Sequence, residues 1–118
     1  INENSKLHAF CNMFPEMNHN EIIGWETVNE KQIKCKAVFI YDDSYNDRVK
    51  KRFEIVSELI KQSGTEIITL KSDRGDFKHR LMDLIFLGDF ISYYLAVIRG
   101  YDPSAIKNIN YLKERLAT

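Results

Sequence analysis

Two short apolar segments near the middle of the chain have the pattern of strands. KAVFIY, residues 36–41, is an apolar run rich in β-forming residues and bounded by charge, and TEIITL, residues 65–70, is a second one. Such continuous runs predict strands that are buried on both faces. Residues 47–63 between them predict an amphipathic helix, because apolar residues recur there at helical spacing. The predicted stripe consists of Val49, Phe53, Val56, Leu59 and Ile60.

The order strand–helix–strand restricts how the two strands can pair. Gly64 is predicted to end the helix as the residue after its cap, so that the second strand follows directly. Strands joined by one helix pair in parallel, with a right-handed crossover. The sequence therefore predicts an α/β chain in which the 47–63 helix covers one face of the sheet and the next helix covers the other.

The longest apolar run predicts a long buried helix. LMDLIFLGDFISYYLAVI, residues 81–98, lies within a helix expected from about Asp76 to Ile98. Its length would permit a membrane span, but Asp83 and Asp89 lie inside it, and a central carboxylate costs about 2.5–3.5 kcal/mol on insertion scales. We therefore expect a buried helix, in which Asp89 is buried and hydrogen-bonded with a structural role. Two strands cannot cover so much apolar surface, so upstream residues or a second subunit must supply the rest.

Both ends of the chain are predicted to be helical. Residues 1–12 read as a helix, or as the end of one, that stops before Pro15, because a proline ring disfavours the helical conformation of the preceding residue. Residues 26–33 are polar and are expected to form a loop. Asp102-Pro103 is predicted to start the last helix, with proline at its first position. Its inward stripe would be Ile106, Ile109, Leu112 and Leu116.

Composition and charge narrow the class of protein. The chain has 118 residues, enough for one domain, and it carries 17 basic and 17 acidic residues. Zero formal net charge implies no field that would attract nucleic acid or a membrane surface. Cys11 and Cys35 have no ligand cluster around them, which favours a reduced, cytoplasmic compartment. Their spacing also permits a single disulfide between them. The polar start INENSKLHAF does not resemble a signal peptide, and the missing initiator methionine suggests a piece of a longer chain.

Four polar residues in FPEMNHNEIIGWE, residues 14–26, are the first candidates for chemistry. Asn18, His19, Asn20 and Glu21 stand between a proline and an apolar step, and Asn18 or Asn20 is a suitable N-cap for a short turn or helix at EIIGW. A carboxylate in this place can be partly desolvated, which raises its pKa from about 4.3 towards that of a useful base. The alternative reading is structural, with Glu21 as a helix-capping residue and His19 as a donor to backbone carbonyls.

Other chemical motifs are missing or weak. His8 and His79 fall on ordinary helix positions, and no pair of histidines has metal-ligand spacing with a carboxylate, so neither a zinc site nor any other metal or cofactor is expected. The five glycines are scattered, without the G-x-G of a phosphate-binding loop. Lys113 lies off the apolar stripe of the last predicted helix and by itself would be a surface lysine.

Several stretches, taken in order, resemble the C-terminal part of the bifunctional phosphoglucose/phosphomannose isomerase family of archaea and bacteria. They are INENSK, FPEMNHNEIIGWE, DRVKKRFEI, LIFLGDFISYYLA and RGYDPSAIKNINYLKERLA. The resemblance covers essentially the whole chain in the right order. Members of the family consist of two sugar-isomerase (SIS) domains. Residues 1–118 look like the second of these domains, without its first strand and without the N-terminal SIS domain.

The resemblance implies a fold and a function. The fold would be a three-layer, doubly wound parallel sheet of the SIS type, of which this chain holds an incomplete C-terminal half with a long buried helix. The activity would be the interconversion of glucose 6-phosphate, and of mannose 6-phosphate, with fructose 6-phosphate through an enediol(ate), in glycolysis and gluconeogenesis. The implied partners are the sugar phosphate, the N-terminal SIS domain and a second copy in a homodimer. Because the family holds the phosphate on Ser/Thr-rich loops of the first domain, the isolated chain is expected to be inactive.

The resemblance also implies roles for individual residues. Glu21 matches the carboxylate that moves a proton between C2 and C1 of the open-chain sugar, and Asn18, His19 and Asn20 would fix its loop. Lys113 in YLKERL matches a lysine on the last helix that contacts the ring or the ring oxygen.

One departure from the family pattern leaves a second function open. The family usually carries a ring-opening histidine before its R-x-K-K-R helix, and Asn46 stands at that position in DDSYNDRVKKR. Asparagine cannot shuttle a proton as imidazole does. Ring opening would then fall to His19, Lys113, water or the spontaneously opened sugar, or this member is slow or altered. The alternative function is a non-catalytic, sugar-phosphate-binding SIS module that regulates or assembles; a pure dimerisation domain would rest only on the apolar 84–98 helix.

Overall fold

The computed structural model describes residues 1–28 and 34–117, so residues 29–33 of the predicted 26–33 loop lie outside the described part. The chain divides into two compact units, Cys11–Leu84 and a second that joins Ile1–Phe10 to Ile85–Thr118. The described helices and strands are α1 (Asn2–Ser5), a 3-10 turn (Glu16–Asn18), α2 (Glu21–Gly24), β1 (Lys36–Tyr41), α3 (Asp47–Gln62), β2 (Glu66–Lys71), α4 (Phe77–Ile98) and α5 (Lys107–Leu116).

The strands β1 and β2 pair in parallel, as the strand–helix–strand order predicts. Lys36 pairs with Glu66 at the start of the ladder, and Tyr41 pairs with Lys71 at its end. β1 has the predicted bounds, and β2 begins one residue later than predicted. The chain is thus a mixed α/β structure with a small parallel sheet.

The end of α3 shows why the connection from this helix to β2 is so short. Gly64 has a φ of 79°, and its N–H donates to the carbonyl of Lys61 at 3.0 Å, while the N–H of Thr65 donates to the carbonyl of Ile60 at 3.3 Å. These two bonds form a Schellman motif, whose left-handed residue is usually glycine because glycine has no Cβ to clash. The predicted helix stop at Gly64 is confirmed.

An aromatic-rich core joins α3 to one face of the sheet. The ring of Phe53 lies 5.4 Å from that of Phe39 on β1 and 4.4 Å from that of Phe14, measured between centroids. Burial of each such side chain contributes about 1.5–3 kcal/mol relative to exposure. Of the predicted α3 stripe, Leu59 remains largely exposed. The buried cluster consists of Met17, Ala37, Phe39, Phe53, Val56 and Ile60.

The other face of the sheet is open, so the prediction of strands buried on both faces was wrong for this chain. Val38, Ile40 and Ile68 are 47%, 56% and 39% exposed. Buried and exposed residues alternate along β1, as they do in a sheet that is covered on one side. A continuous apolar run indicates that both faces of a strand favour an apolar environment, and the described residues leave this face exposed. A three-layer arrangement is therefore not confirmed.

The helix α4 has nearly the predicted bounds, but the prediction that it is buried was also wrong for this chain by itself. Only Ser92 and Ala96 of this helix are buried, while Phe86, Phe90 and Tyr94 are more than half exposed. Within the described residues, α4 is the one helix whose length and composition would let it cross a membrane. Composition shows that a helix requires an apolar environment, and it does not show which part of the protein provides it.

The prediction that Asp89 is buried with a structural role was also wrong. Asp89 is exposed, and its carboxylate has no hydrogen-bond partner among residues 1–28 and 34–117. Its backbone carbonyl accepts a hydrogen bond from the Ser92 hydroxyl at 2.9 Å. A carboxylate on an uncovered helix face remains solvated, so it needs no internal partner.

The N-terminal segment is helical over a shorter range than predicted. The helix α1 covers Asn2–Ser5 only, and Lys6 adopts a left-handed conformation with a φ of 52°. The Asn2 side chain accepts from the N–H of Ala9 and donates to its carbonyl, which holds the chain in a turn instead of a 1–12 helix. The Ser5 hydroxyl donates to the carbonyl of Ser92 at 2.7 Å, so this segment packs on α4 within its own unit.

The last helix starts later than predicted. Asp102 accepts a hydrogen bond from the N–H of Ser104 at 2.8 Å, so Asp102-Pro103 forms a turn, and α5 begins only at Lys107. An aspartate followed by proline suits a turn as well as a helix start, which is why the two could not be separated from sequence. The stripe expected to face inward is exposed at Ile109, Leu112 and Leu116.

Candidate active site

Asn18, His19, Asn20 and Glu21 form a polar tetrad. Residues that pack in the core lie on both sides of it. Met17 is buried in the core cluster just before the tetrad, and Ile22 and Trp25 pack against the same cluster just after it. The tetrad itself connects the 3-10 turn to α2. Its polar side chains therefore stand on a short segment whose two ends are fixed by apolar burial.

Asn20 is the N-cap of α2, which confirms one of the two predicted caps. Its Oδ1 accepts a hydrogen bond from the backbone N–H of Glu21 at 2.6 Å. Side-chain capping of a free helical N–H contributes about 0.5–2 kcal/mol. Glu21 is consequently the first residue of α2, and its backbone is oriented by its neighbour.

The carboxylate of Glu21 is exposed and has one amide partner. Its Oε2 accepts a hydrogen bond from Nδ2 of Asn12 at 3.0 Å. The carboxylate caps no helix, so the structural reading of Glu21 as a capping residue was wrong. The desolvation expected for a base is not provided by this exposed position. Asn12 was missed by sequence reasoning, since a lone amide nine residues away carries no local pattern.

The other two tetrad residues differ from their expected roles. The ring of His19 is exposed and has no hydrogen-bond partner in the described residues; only its backbone N–H is bonded, to the carbonyl of Glu16 at 3.0 Å. Its expected donation to backbone carbonyls through the ring was wrong. Oδ1 of Asn18 and Nε1 of Trp25 are buried without a partner among the described residues. The polar network of the loop is thus incomplete within these residues.

Asn46 acts as a helix cap. The family that the sequence resembles usually carries a histidine at this position. Its Oδ1 accepts a hydrogen bond from the N–H of Val49 at 3.0 Å, at the start of α3. Asparagine is among the most favourable N-cap residues. This local role explains the residue structurally and supplies no proton-transfer group.

Lys113 lies on α5 and is exposed. It belongs to the unit that contains Ile1–Phe10 and α5, whereas Glu21 belongs to Cys11–Leu84. The two residues that the resemblance assigns to catalysis are therefore in different units.

A buried ion pair at the end of β1 was missed by sequence reasoning. Nε of Arg80 donates to Oδ2 of Asp42 at 2.6 Å, and Nη2 donates to Oδ1 at 3.1 Å. Asp42 also accepts hydrogen bonds from the backbone N–H and the hydroxyl of Ser44. The bonds from Arg80 and Ser44 hold the pKa of the Asp42 carboxyl well below its usual range. A carboxylate immediately after a buried strand was the available signal.

A second acid–base pair stands at the start of α4. Nδ1 of His79 lies 2.9 Å from Oδ1 of Asp76, and the same oxygen accepts the backbone N–H of His79 at 3.1 Å. These two contacts, the backbone one first, lower the pKa of Asp76. Sequence reasoning set His79 aside because it falls on a helix, where its carboxylate partner three residues earlier was not considered.

The described residues hold no group of three or more His, Cys, Asp or Glu side chains placed to bind a metal ion. Cys11 and Cys35 are both free and exposed. The disulfide that the sequence left open is therefore not formed.

The fold and these clusters define a class of protein. Charged side chains gather just past the carboxyl ends of two parallel strands, which is where open α/β sheets bind their ligands. The chain belongs to the family of bacterial phospho-glucose isomerase C-terminal SIS domains, which matches residues 1–116. The resemblance seen in the sequence is thereby confirmed.

Three relatives have the same name, bifunctional phosphoglucose/phosphomannose isomerase. The protein of Aquifex aeolicus is 36% identical over 98% of this chain and 36% of its own length. That of Caldicellulosiruptor bescii is 37% identical over 99% of this chain and 34% of its own length, and that of Thermoplasma acidophilum is 32% identical over 99% and 36%. The chain thus spans about a third of the curated relatives that it matches. No solved structure matches it significantly.

Proposed function

We propose that this chain is the part of a sugar-phosphate aldose–ketose isomerase that carries the catalytic base. The substrates would be glucose 6-phosphate and mannose 6-phosphate, each interconverted with fructose 6-phosphate. The single observation that carries the proposal is the family match over residues 1–116, within which Glu21 stands accessible at the capped start of α2.

In the proposed reaction, the carboxylate of Glu21 takes the proton from C2 of the open-chain aldose. The electron pair of the broken C–H bond forms the C1–C2 double bond of an enediol(ate), and the proton returns to C1 to give the ketose. One carboxylate can serve both carbons because they are adjacent, and a positioned general base contributes about 10²–10⁴-fold in rate. The exposed carboxylate and its single amide partner, Asn12, are compatible with this role, because a substrate can reach the group.

The remaining parts of the proposal concern the rest of the protein. An N-terminal SIS domain would hold the phosphate and, with a second copy in a homodimer, would cover the apolar residues that this chain leaves exposed. The sheet would then have the three-layer, doubly wound form. Lys113 would contact the sugar ring, and Asn18, His19 and Asn20 would position the loop of Glu21. The place of action would be the cytoplasm, in glycolysis and gluconeogenesis.

The alternative function is a SIS module that binds a sugar phosphate without converting it. One observation favours it: Asn46 caps α3 and cannot act as the proton-transfer group that the family usually has there. A module of this kind would retain the fold and the phosphate partner and would lose turnover.

Turnover by the full-length protein separates the two functions. With glucose 6-phosphate and with mannose 6-phosphate, we expect formation of fructose 6-phosphate at rates well above the uncatalysed reaction. Binding of either sugar phosphate without any product would favour the non-catalytic module, and absence of both binding and product would reject both functions.

A further inference from the structure

The pair formed by His79 and Asp76 has the arrangement of an acid–base unit. Asp76 accepts from Nδ1 of His79 at 2.9 Å, so the Nδ1 hydrogen points at the carboxylate and Nε2 is the nitrogen left to exchange a proton. The carboxylate thus fixes the orientation of the ring through Nδ1. Both side chains are mostly exposed, so a ligand can reach Nε2.

The chain topology puts this pair at the ligand-binding edge of the sheet. β2 ends at Lys71 and α4 begins at Phe77, so Asp76 and His79 lie past the carboxyl end of β2. The adjacent Arg80 bonds to Asp42, which lies past the carboxyl end of β1. The start of α4 is therefore tied to the same turn, residues 42–46, that leads to α3.

His79 is the one histidine of the described residues with a carboxylate partner. The ring of His19 has no hydrogen-bond partner, and that of His8 stacks on Phe10 at 6.4 Å between centroids. Hexose 6-phosphates are mostly closed rings, and no base can remove the C2 proton usefully until the ring has opened. Opening needs a group that can both give and take a proton near neutral pH, a property of imidazole.

We propose that His79, oriented by Asp76, opens the ring of the sugar phosphate. The proposal rests on the proposed isomerase function. In the step, Nε2–H of the imidazolium gives its proton to the ring oxygen O5 as the C1–O5 bond breaks and its electron pair passes to O5. The O1 hydroxyl loses its proton to water, and its O–H electron pair forms the C1–O1 double bond of the aldehyde. A proton from water restores the imidazolium, so the open-chain aldose is the only product.

A purely structural role for the same pair makes a different prediction. Asp76 accepts the N–H of His79, the third residue of α4, as an N-cap does. Asparagine caps helices as well as aspartate. Asp76→Asn therefore keeps the cap and removes the negative charge beside the imidazole ring, so it separates capping from catalysis.

Ring opening can be measured directly as the exchange between the α and β anomers of glucose 6-phosphate, by NMR. The full-length protein is used with Glu21→Gln as the parent, so that the anomers are not consumed by isomerisation. We expect the parent to exchange anomers faster than buffer alone. Adding His79→Gln should reduce the excess rate by about 10²-fold, the size of a general acid–base contribution, and adding Asp76→Asn should reduce it by about tenfold. His8→Gln, a matched histidine change in the other unit, should leave the rate unchanged.

Three results would overturn the proposal. They are equal anomer exchange with and without His79→Gln, an Asp76→Asn rate equal to that of the parent, and a parent rate no higher than buffer. Isomerisation by the native full-length protein distinguishes failure of the His79 role from failure of the proposed function. If it isomerises glucose 6-phosphate while these arms fail, only the role of His79 is wrong; if it does not isomerise, the proposed function fails and this proposal fails with it.

Discussion

Glu21 is positioned by its neighbours through the backbone as well as through its carboxylate. The Asn20 cap fixes its N–H, and the burial of Met17 before it and the packing of Ile22 after it fix the segment. Among the described residues, the carboxylate itself is hydrogen-bonded only to Asn12. A change to the carboxylate should therefore alter chemistry more than structure.

Glu21→Gln tests this directly in the full-length protein. Glutamine keeps the size of the side chain and can still bond to Asn12, but it cannot take the C2 proton. We expect kcat to fall by about 10²–10⁴-fold with little change in KM, because the phosphate would be held elsewhere. Glu16→Gln, an exposed glutamate in the same segment, is the matched control and should retain the parent kcat. A Glu21→Gln protein within a few-fold of the parent would remove Glu21 from catalysis.

Asp42 and Arg80 connect three elements, because their ion pair joins the end of β1 to the first turns of α4 and Ser44 ties the turn before α3 to the same carboxylate. Asp42 is almost fully buried, at 4% exposure. Removal of one partner from such a pair leaves the other charge buried and uncompensated.

Asp42→Asn should therefore destabilise the full-length protein. We expect the melting temperature at pH 7 to fall by at least about 5 °C. Asp43→Asn is the matched control, since Asp43 pairs with Lys71 on the surface and exposed pairs contribute little. A loss no larger for Asp42→Asn than for Asp43→Asn would contradict the assigned role of the ion pair.

The effect of Asp42→Asn should also depend on pH. The folded state lowers the pKa of Asp42 below the value of 3.8 for an unperturbed carboxyl. Its stabilising contribution is thus fully present above that value and is lost as the pH falls through the lowered folded-state pKa. Melting temperatures of parent and variant should converge as the pH is taken below 3.8. Parallel curves across this range would mean that Asp42 does not stabilise through its charge.

The elements themselves divide into those that sequence could predict and those that it could not. β1, α3 and its stop at Gly64 were predicted well, because their signals are local: β-forming runs, a helical stripe and a glycine in the left-handed conformation. The burial of α4 was not, because burial depends on residues far away in sequence or in another part of the protein. Asp42 and Arg80 are 38 residues apart and were missed for the same reason.

Candidate site residues follow the same division. The Asn20 cap could be predicted because it acts on the next residue. The partner of Glu21 and the role of Asn46 could not be read from the pattern, since an asparagine in a loop has several possible partners and only the fold selects one. The resemblance supplied the remaining roles by position, and it gave no reason to consider His79.

Exposed apolar surface is the main feature of the molecule as a whole. Val38 and Ile40 on the sheet and Phe86 and Phe90 on α4 are all largely exposed. An exposed apolar patch on either unit usually marks an interaction site. The relatives are about three times as long as this chain, which leaves room for a covering domain in the proposed full-length protein.

The most direct test of the central claim is incorporation of solvent deuterium at C2 of glucose 6-phosphate, followed by NMR in D₂O. The full-length protein should replace the C2 hydrogen as it isomerises, because Glu21 exchanges its captured proton with solvent, and Glu21→Gln should not. The 118-residue chain alone should show no incorporation, because it lacks the proposed phosphate anchor. A full-length protein that binds the sugar phosphate and leaves C2 unlabelled, without forming fructose 6-phosphate, would contradict the claim that this chain carries the base of an isomerase.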